Sequence, residues 1–242
     1  MKDTEPMDYR DSHLAKGDTY DASIAAQPFD AYMAQHEEAW LRDMIPRLMP
    51  RGGRYLDFAC GTGRITAIVA PFADESVGVD ISESMLATAR GKCPQTRFVC
   101  VDLARENPDL GSFDLVTSFR FFGNAQQELR LAALDAIVRR LPHGGHLVIN
   151  SHRNPHSVGA LLQRAGGVQH GMDLSYFRLR RMLRERGLCI VAVRTIGFWV
   201  LRSRLRTASA LASRGGRIAE RLLRHRAWAA FAPDCIVVAR KS

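Results

Sequence analysis

Short apolar runs alternate with stretches of helical periodicity through the middle of the chain. The apolar runs, which predict buried strands, are 55–59, 76–79, 97–101, 113–119 and 146–150. Apolar residues at three- and four-residue steps predict helices at 63–72, 84–91 and 125–141. Buried strands that alternate with helices form parallel sheets covered on both faces, so the pattern predicts a doubly wound α/β fold.

Further elements are predicted on both sides of this core. Residues 1–26 are polar and are expected to form an arm or lid, followed by a helix that begins at Pro28 and ends at the proline and glycine residues between 46 and 53. After the core we expect a helix around 175–187, a strand at 188–196, a basic helix within 204–226 and a last strand at 235–239. One domain over 1–242 accounts for all of these elements.

Composition narrows the class of protein. Among 242 residues, 46% are apolar and 24% charged, a balance typical of globular proteins. The chain has no run of about 18 apolar residues for a membrane-spanning helix, and its first residues lack the apolar centre of a signal peptide. The five cysteines include no C-x-x-C pair, so we expect a cytoplasmic protein with no disulfide framework and no metal site.

Charge is distributed unevenly along the chain. The net charge of +9 divides into −5 for residues 1–150 and +14 for residues 151–242. Residues 178–226 contain 14 arginines and only two acidic residues, Glu185 and Glu220. This segment is either a solvated helix packed on the domain or a binding surface for an anionic acceptor or an anionic membrane. The chain has no zinc finger and no aromatic RNA platform, which disfavours nucleic acid.

A glycine turn follows the first predicted strand. Gly61 and Gly63 would let the backbone approach a ligand at the start of a helix, and Asp80, at the end of the second strand, is placed to accept the hydroxyls of a ribose. Thr66 occupies the third small position of a dinucleotide fingerprint. Asp57 lies at the mouth of the turn, where a carboxylate would repel a pyrophosphate and attract an ammonium or sulfonium. These features favour S-adenosylmethionine over a nicotinamide dinucleotide.

The ordered set of motifs over residues 50–150 resembles the class I S-adenosylmethionine-dependent methyltransferases. The motifs are Asp57-x-Ala59-x-Gly61-x-Gly63, Asp80, Val101-Asp102-Leu103, the strand at 113–118 and the proline-glycine turn at 141–149. The resemblance implies a mostly parallel seven-stranded sheet with an antiparallel last strand, an N-terminal helical cap at 1–50, a cofactor core at 51–150, and substrate-side elements with a basic helical insertion at 151–242. Ala59 departs from the pattern, because the family has a glycine there.

The resemblance also implies a role for each motif residue. Asp57 would face the methionine ammonium, Ala59, Gly61 and Gly63 would line the methionine and ribose, and Asp80 would bind the ribose hydroxyls. Ile81 would pack on the adenine, Asp102 and Leu103 would hydrogen-bond to it, and Ser118 and Phe119 would flank the sulfonium.

Candidate residues for the methyl acceptor lie at the ends of the fourth and fifth strands. His152 titrates near neutral pH and is the candidate general base, while Arg120 and Arg153 would bind the acceptor and Tyr20 would cover the site from the lid. We therefore expect O- or N-methylation of a small molecule. A glycan or lipid-linked sugar acceptor, and a catalytically inactive cofactor-binding module, remain as alternatives.

Overall fold

The computed structural model describes residues 20–152, 154–166, 174–196, 218, 221, 222 and 226–242. Its helices are α1 (Tyr20–Ala26), α2 (Pro28–Leu48), α3 (Thr66–Val69), α4 (Glu83–Lys92), α5 (Gln127–Arg140), α6 (Val158–Ala165) and α7 (Tyr176–Arg184). Its strands are β1 (Arg54–Phe58), β2 (Glu75–Asp80), β3 (Arg97–Cys100), β4 (Leu115–Ser118), β5 (His146–Ser151), β6 (Leu188–Ile196) and β7 (Asp234–Lys241). Short 3₁₀ turns occupy Ala70–Phe72 and Arg226–Trp228.

The strands form one seven-stranded sheet in the order β3-β2-β1-β4-β5-β7-β6. The pairs from β3 through β5 are parallel, and β7 runs antiparallel to both of its neighbours. This is the doubly wound, mostly parallel sheet predicted from the sequence. The strand order reverses between β1 and β4, so a crevice opens at the carboxyl ends of these two strands.

Each face of the sheet buries its own apolar layer. Side chains alternate along a strand, so on β1 Leu56 packs in one layer and Tyr55 in the other. The Leu56 layer contains the apolar faces of α5 and α7, whereas the Tyr55 layer contains those of α2 and α3. Continuous burial along β1, β4 and β5 follows from this two-sided covering.

Several element boundaries differ from those predicted. Helix α2 continues through Pro46 to Leu48, because a proline two residues before the end of a helix removes only one late hydrogen bond. The helix predicted at 63–72 begins only at Thr66, since the glycine turn extends to Ile65, and it tightens into a 3₁₀ turn after Val69. Helices α1 and α6 were not predicted. Most of the basic helix predicted within 204–226 lies outside the described residues.

Within the described part of the chain, no helix combines the length and apolarity needed to cross a membrane.

Candidate active site

The candidate active site is a cleft at the carboxyl edge of the sheet, where the strand order reverses. Open α/β sheets bind ligands there because helices on opposite faces leave a crevice between them. The cleft has a volume of about 960 Å³ including its open mouth. Most of the predicted cofactor residues line it, namely Asp57, Ala59, Gly61, Asp80, Ile81, Asp102, Leu103 and Phe119.

The turn after β1 presents bare backbone to the cleft. Gly61 has a φ of +53°, and a Cβ added there would meet no atom within 4 Å, so it would project into open space. Gly63 is not among the lining residues; a Cβ at Gly63 would lie 3.0 Å from that of Ala89 on α4, so this glycine permits close helix packing. Ala59 has a φ of +56°, the left-handed conformation that glycine adopts without steric cost. The alanine that departs from the family pattern therefore carries backbone strain.

Asp57 lies at the bottom of the cleft as a buried carboxylate. Its side chain accepts hydrogen bonds from the hydroxyls of Thr66, at 2.6 Å, and Thr117, at 2.8 Å. Burial raises the pKa of Asp57 from 3.8 to about 6, although these two hydrogen bonds and the charge of Arg64 oppose the rise. A cationic ligand in the cleft would stabilise the ionised form of this carboxyl group.

Asp80 joins the glycine turn to the start of α4. One carboxylate oxygen accepts the N–H of Gly61 at 2.8 Å, and the other accepts the N–H of Ser82 at 2.9 Å. These two hydrogen bonds orient the half-buried carboxylate at the edge of the cleft, and a carboxylate oxygen can in general accept more than one hydrogen bond. Ile81, the next residue, also lines the cleft, and its packing on the adenine stays a prediction.

Asp102 and Leu103 follow β3 on the far side of the cleft. Asp102 Oδ1 accepts the N–H of Ala104 at 3.0 Å, which fixes the loop, and Arg105 lies 3.8 Å from the other oxygen. Together with Asp57 and Asp80, Asp102 places a third carboxylate at the end of a third strand around one cleft.

The end of β4 brings an arginine into the cleft through a strained turn. Ser118 is fully buried and is not among the lining residues, while Phe119 and Arg120 are. Arg120 has a φ of +59°, and its N–H donates to the Asn150 side chain at 2.6 Å. Its guanidinium lies 3.1 Å from Asp30 of α2.

His152 lies just past β5 on the same edge. Its Nε2 lies 3.0 Å from Oδ1 of Asn124, and Asn124 in turn donates to the Arg120 carbonyl at 2.7 Å. Gly123 makes room for the ring, since a Cβ at this position would lie 2.8 Å from Cε1 of His152. His152 is held in place but is not among the residues lining the cleft.

Two charged residues that sequence reasoning missed, Glu37 and Arg64, connect the cap to the cleft. Glu37 of α2 is only 1% exposed; it accepts from the Asn150 amide at 2.9 Å and pairs with Arg64 at 2.8 Å. Arg64 lines the cleft beside the glycine turn. The sequence did contain a signal: Glu37 interrupts the apolar stripe of α2 between Met33 and Leu41, where a carboxylate needs a buried partner.

Helix α1 is held over the glycine turn. Asp21 accepts from the Thr62 hydroxyl at 2.7 Å and pairs with Lys92 of α4. Tyr20 begins this helix, which agrees with a position in the cap. Arg153, the remaining predicted acceptor residue, lies outside the described residues.

The sheet order, the antiparallel β7 and the three carboxylates around a glycine turn define the fold of the class I S-adenosylmethionine-dependent methyltransferases. The methyltransferase-domain family matches residues 56–145. The chain therefore contains a methyltransferase domain of this class, and the family and cofactor predicted from the sequence, S-adenosylmethionine, are confirmed.

Relatives and solved structures agree with this assignment. The chain is 33% identical over 120 residues to demethylmenaquinone methyltransferase of Beutenbergia cavernae, covering 49% of each chain. It is 41% identical over 79 residues to trans-aconitate 2-methyltransferase of Variovorax paradoxus, covering 31% of this chain and 30% of the relative. The chain thus spans about half or less of the length of these relatives.

The fold is similar to that of magnesium protoporphyrin IX methyltransferase from Synechocystis, solved with S-adenosylhomocysteine. The TM-score is 0.68 at 18% identity, over 96% of this chain and 98% of that one.

Proposed function

We propose that the protein transfers a methyl group from S-adenosylmethionine to an oxygen or nitrogen atom of a small molecule. The observation that carries the proposal is the convergence of Asp57, Asp80 and Asp102 around one cleft beside an open glycine turn. Relatives named for menaquinone and trans-aconitate methylation, and a structural neighbour named for a porphyrin, support a small-molecule acceptor.

The residues of the cleft fit this cofactor. Gly61 would admit the methionine and ribose against bare backbone, and Asp57 offers a buried negative charge for the ammonium group. Two backbone N–H groups orient Asp80 at the cleft, where its carboxylate would bind the ribose hydroxyls. Ile81, Asp102 and Leu103 would receive the adenine, and Ala59 and Phe119 the methionine end. When bound, the cofactor supplies an electrophilic methyl group on a sulfonium.

The acceptor would enter between the end of β4 and the end of β5. Arg120 lines the cleft with a guanidinium fixed by Asp30, so it is placed to bind an anionic group of the acceptor. His152 is the candidate general base: it lies just past β5 on the same edge as the cleft, although outside its lining, and Asn124 orients its ring. Tyr20 and Arg153 are further candidates for acceptor binding from the cap and the loop after β5.

Most of the rate enhancement in such a reaction comes from alignment. The acceptor atom must lie about 3 Å from the methyl carbon, on the line that runs through that carbon and the sulfur. Positioning of this kind is worth several orders of magnitude in rate. The buried carboxylate of Glu37 contacts both Arg64 and Asn150, which ties helix α2 to the wall of the cleft and to β5.

Cofactor binding tests the first half of the proposal. Asp80→Ala should weaken S-adenosylmethionine binding, measured by calorimetry, by about 1.5–3 kcal/mol, the range for losing a hydrogen bond to a charged group. Asp43→Ala, which removes an exposed carboxylate from α2, is the matched control and should bind as the wild type does. Unchanged affinity in Asp80→Ala would remove the main support for the proposed site.

Transfer of a labelled methyl group tests the second half. The wild type should label at least one member of a panel of hydroxylated, aminated and carboxylated small molecules. Labelling only of glycans or lipid-linked sugars would favour the alternative acceptor class. Tight cofactor binding without any transfer across the panel would favour an inactive cofactor-binding module.

A further inference from the structure

Large apolar side chains are exposed on the substrate side of the carboxyl edge. Phe177 is 53% exposed, Trp228 43% and Phe231 46%. Val158 and Leu161, one turn apart on α6, are also half exposed. Single exposed apolar residues are ordinary, but a group of this size on one surface indicates an interaction site.

These five residues lie in segments that meet at the loop after β5, and we call them the rim patch: Val158, Leu161, Phe177, Trp228 and Phe231. The ring of Phe177 lies 5.8 Å from that of His156, which directly precedes α6. Asn154 donates to the carbonyls of Ala230 and Ala232 at 2.8 and 2.9 Å, which holds the turn that carries Phe231 against the same loop.

The rim patch lies at the same edge of the sheet as the cleft. Ser151, the last residue of β5, donates to the carbonyl of Leu174, so the start of α7 lies at the carboxyl end of β5. β7 begins at Asp234 on this edge, so the turn before it lies there too. His152 is therefore only a few residues from the loop that holds the patch together.

Arginines surround the patch. Arg178 and Arg180 are exposed on α7 beside Phe177, and Arg180 shares a shallow cleft with Arg226. Glu185, which pairs with Arg181, and the buried Asp234 are the acidic residues of this half within the described ranges after residue 150. Exposed aromatic and aliphatic side chains and exposed arginines thus occur together in this part of the molecule.

We propose that the rim patch binds the surface of an anionic lipid bilayer. Tryptophan and phenylalanine insert at the boundary between headgroups and acyl chains, and nearby arginines bind anionic headgroups. Docking of this kind would turn the mouth of the cleft toward the membrane, from which a lipophilic acceptor could enter without crossing water.

Vesicle binding of the 242-residue chain tests the proposal without reference to catalysis. The probes are sedimented vesicles of equal parts phosphatidylglycerol and phosphatidylcholine, with pure phosphatidylcholine vesicles for comparison. The wild type should bind the anionic vesicles, and binding should weaken between about 0.05 M and about 0.5 M salt because the charges become screened.

Two double variants separate the two contributions. Arg178→Gln with Arg180→Gln should weaken binding to anionic vesicles about 20- to 30-fold, since each arginine near such a surface contributes about fivefold. Phe177→Ser with Trp228→Ser should weaken it about 10-fold or more by removing apolar insertion. Arg42→Gln with Arg47→Gln, exposed arginines on α2, is the matched control and should bind within about twofold of the wild type.

Three results would overturn the proposal. The first is a wild type that does not bind anionic vesicles at low salt. The second is that both double variants of the rim patch bind anionic vesicles as tightly as the wild type does, and unfold at the same temperature. The third is tighter binding to a single-stranded oligonucleotide than to the vesicles, which would make the arginines a nucleic-acid surface.

Discussion

Replacing Asp57 with asparagine should stabilise the protein without cofactor and weaken cofactor binding at the same time. Asparagine has nearly the shape of aspartate, and its amide can remain hydrogen-bonded to the hydroxyls of Thr66 and Thr117. The substitution therefore removes the buried charge and little else. A residue kept for cofactor binding at a cost in stability is expected to behave in this way.

The magnitude follows from the pKa of Asp57, which burial raises from 3.8 to about 6. Each pKa unit corresponds to about 1.4 kcal/mol, so ionisation of Asp57 costs the folded state up to about 3 kcal/mol. Because the folded-state pKa lies above the unfolded-state value, this cost is absent below pH 4, grows between pH 4 and 6, and is complete above pH 6. Asp57→Asn should therefore gain most stability at pH 7–8.

Thermal unfolding between pH 4.5 and 8 measures the difference. A gain of up to about 3 kcal/mol at pH 8 corresponds to a rise in Tm of up to about 6–12 °C for a chain of this size, shrinking toward pH 4.5. Saturating S-adenosylmethionine should raise the Tm of the wild type more than that of the variant, since the ammonium group loses its anionic partner. Asp43→Asn should show neither effect. A variant that is less stable than the wild type by the same amount at every pH would refute the reasoning.

Three further substitutions test the acceptor side and the turns. His152→Ala should lower kcat by about 100-fold or more with unchanged cofactor affinity, and full activity from pH 6 to 9 would exclude a role as general base. Gly123→Ala should also lower kcat, because its Cβ would lie 2.8 Å from the His152 ring, and wild-type kcat would show that the ring need not be held there. Ala59→Gly should raise the free energy of unfolding, measured in urea, by about 0.5 kcal/mol. The relief of left-handed strain at this position exceeds the additional entropy that glycine loses on folding. A clear decrease would show that Ala59 is unstrained.

The sequence predicted most of the residues that line the cleft beside the glycine turn, because local pattern determines their positions; their roles toward the cofactor stay predictions. The glycine turn, Asp80 and Asp102 each follow a strand whose apolar run is readable, and parallel strands bring their carboxyl ends to one edge. The sequence placed Gly63 and Ser118 at the cofactor, whereas neither lines the cleft. The packing of the turn against α4 determines which of its residues face the cleft. The order of residues in the sequence does not reveal this packing.

The acceptor half was predicted less completely, because it depends on contacts between distant segments. Asn150 links Glu37 to the backbone of Arg120 across more than a hundred residues of chain, and no spacing rule connects them. Likewise Asn124, which orients His152, lies in an irregular loop after β4. Helix α1 was missed because it is short and lies in a segment of polar composition.

The contacts of Glu37 join a part of the chain that the methyltransferase family matches to a part that it does not match. The residues matched by the methyltransferase family, 56–145, contain the cofactor half, whereas the cap from α1 and α2 lies outside them. Glu37 and Asp30 nevertheless reach into that half through Arg64 and Arg120. A cap transplanted from a relative to change the acceptor would therefore leave buried charges unpaired unless its partners at 64, 120 and 150 were transplanted with it.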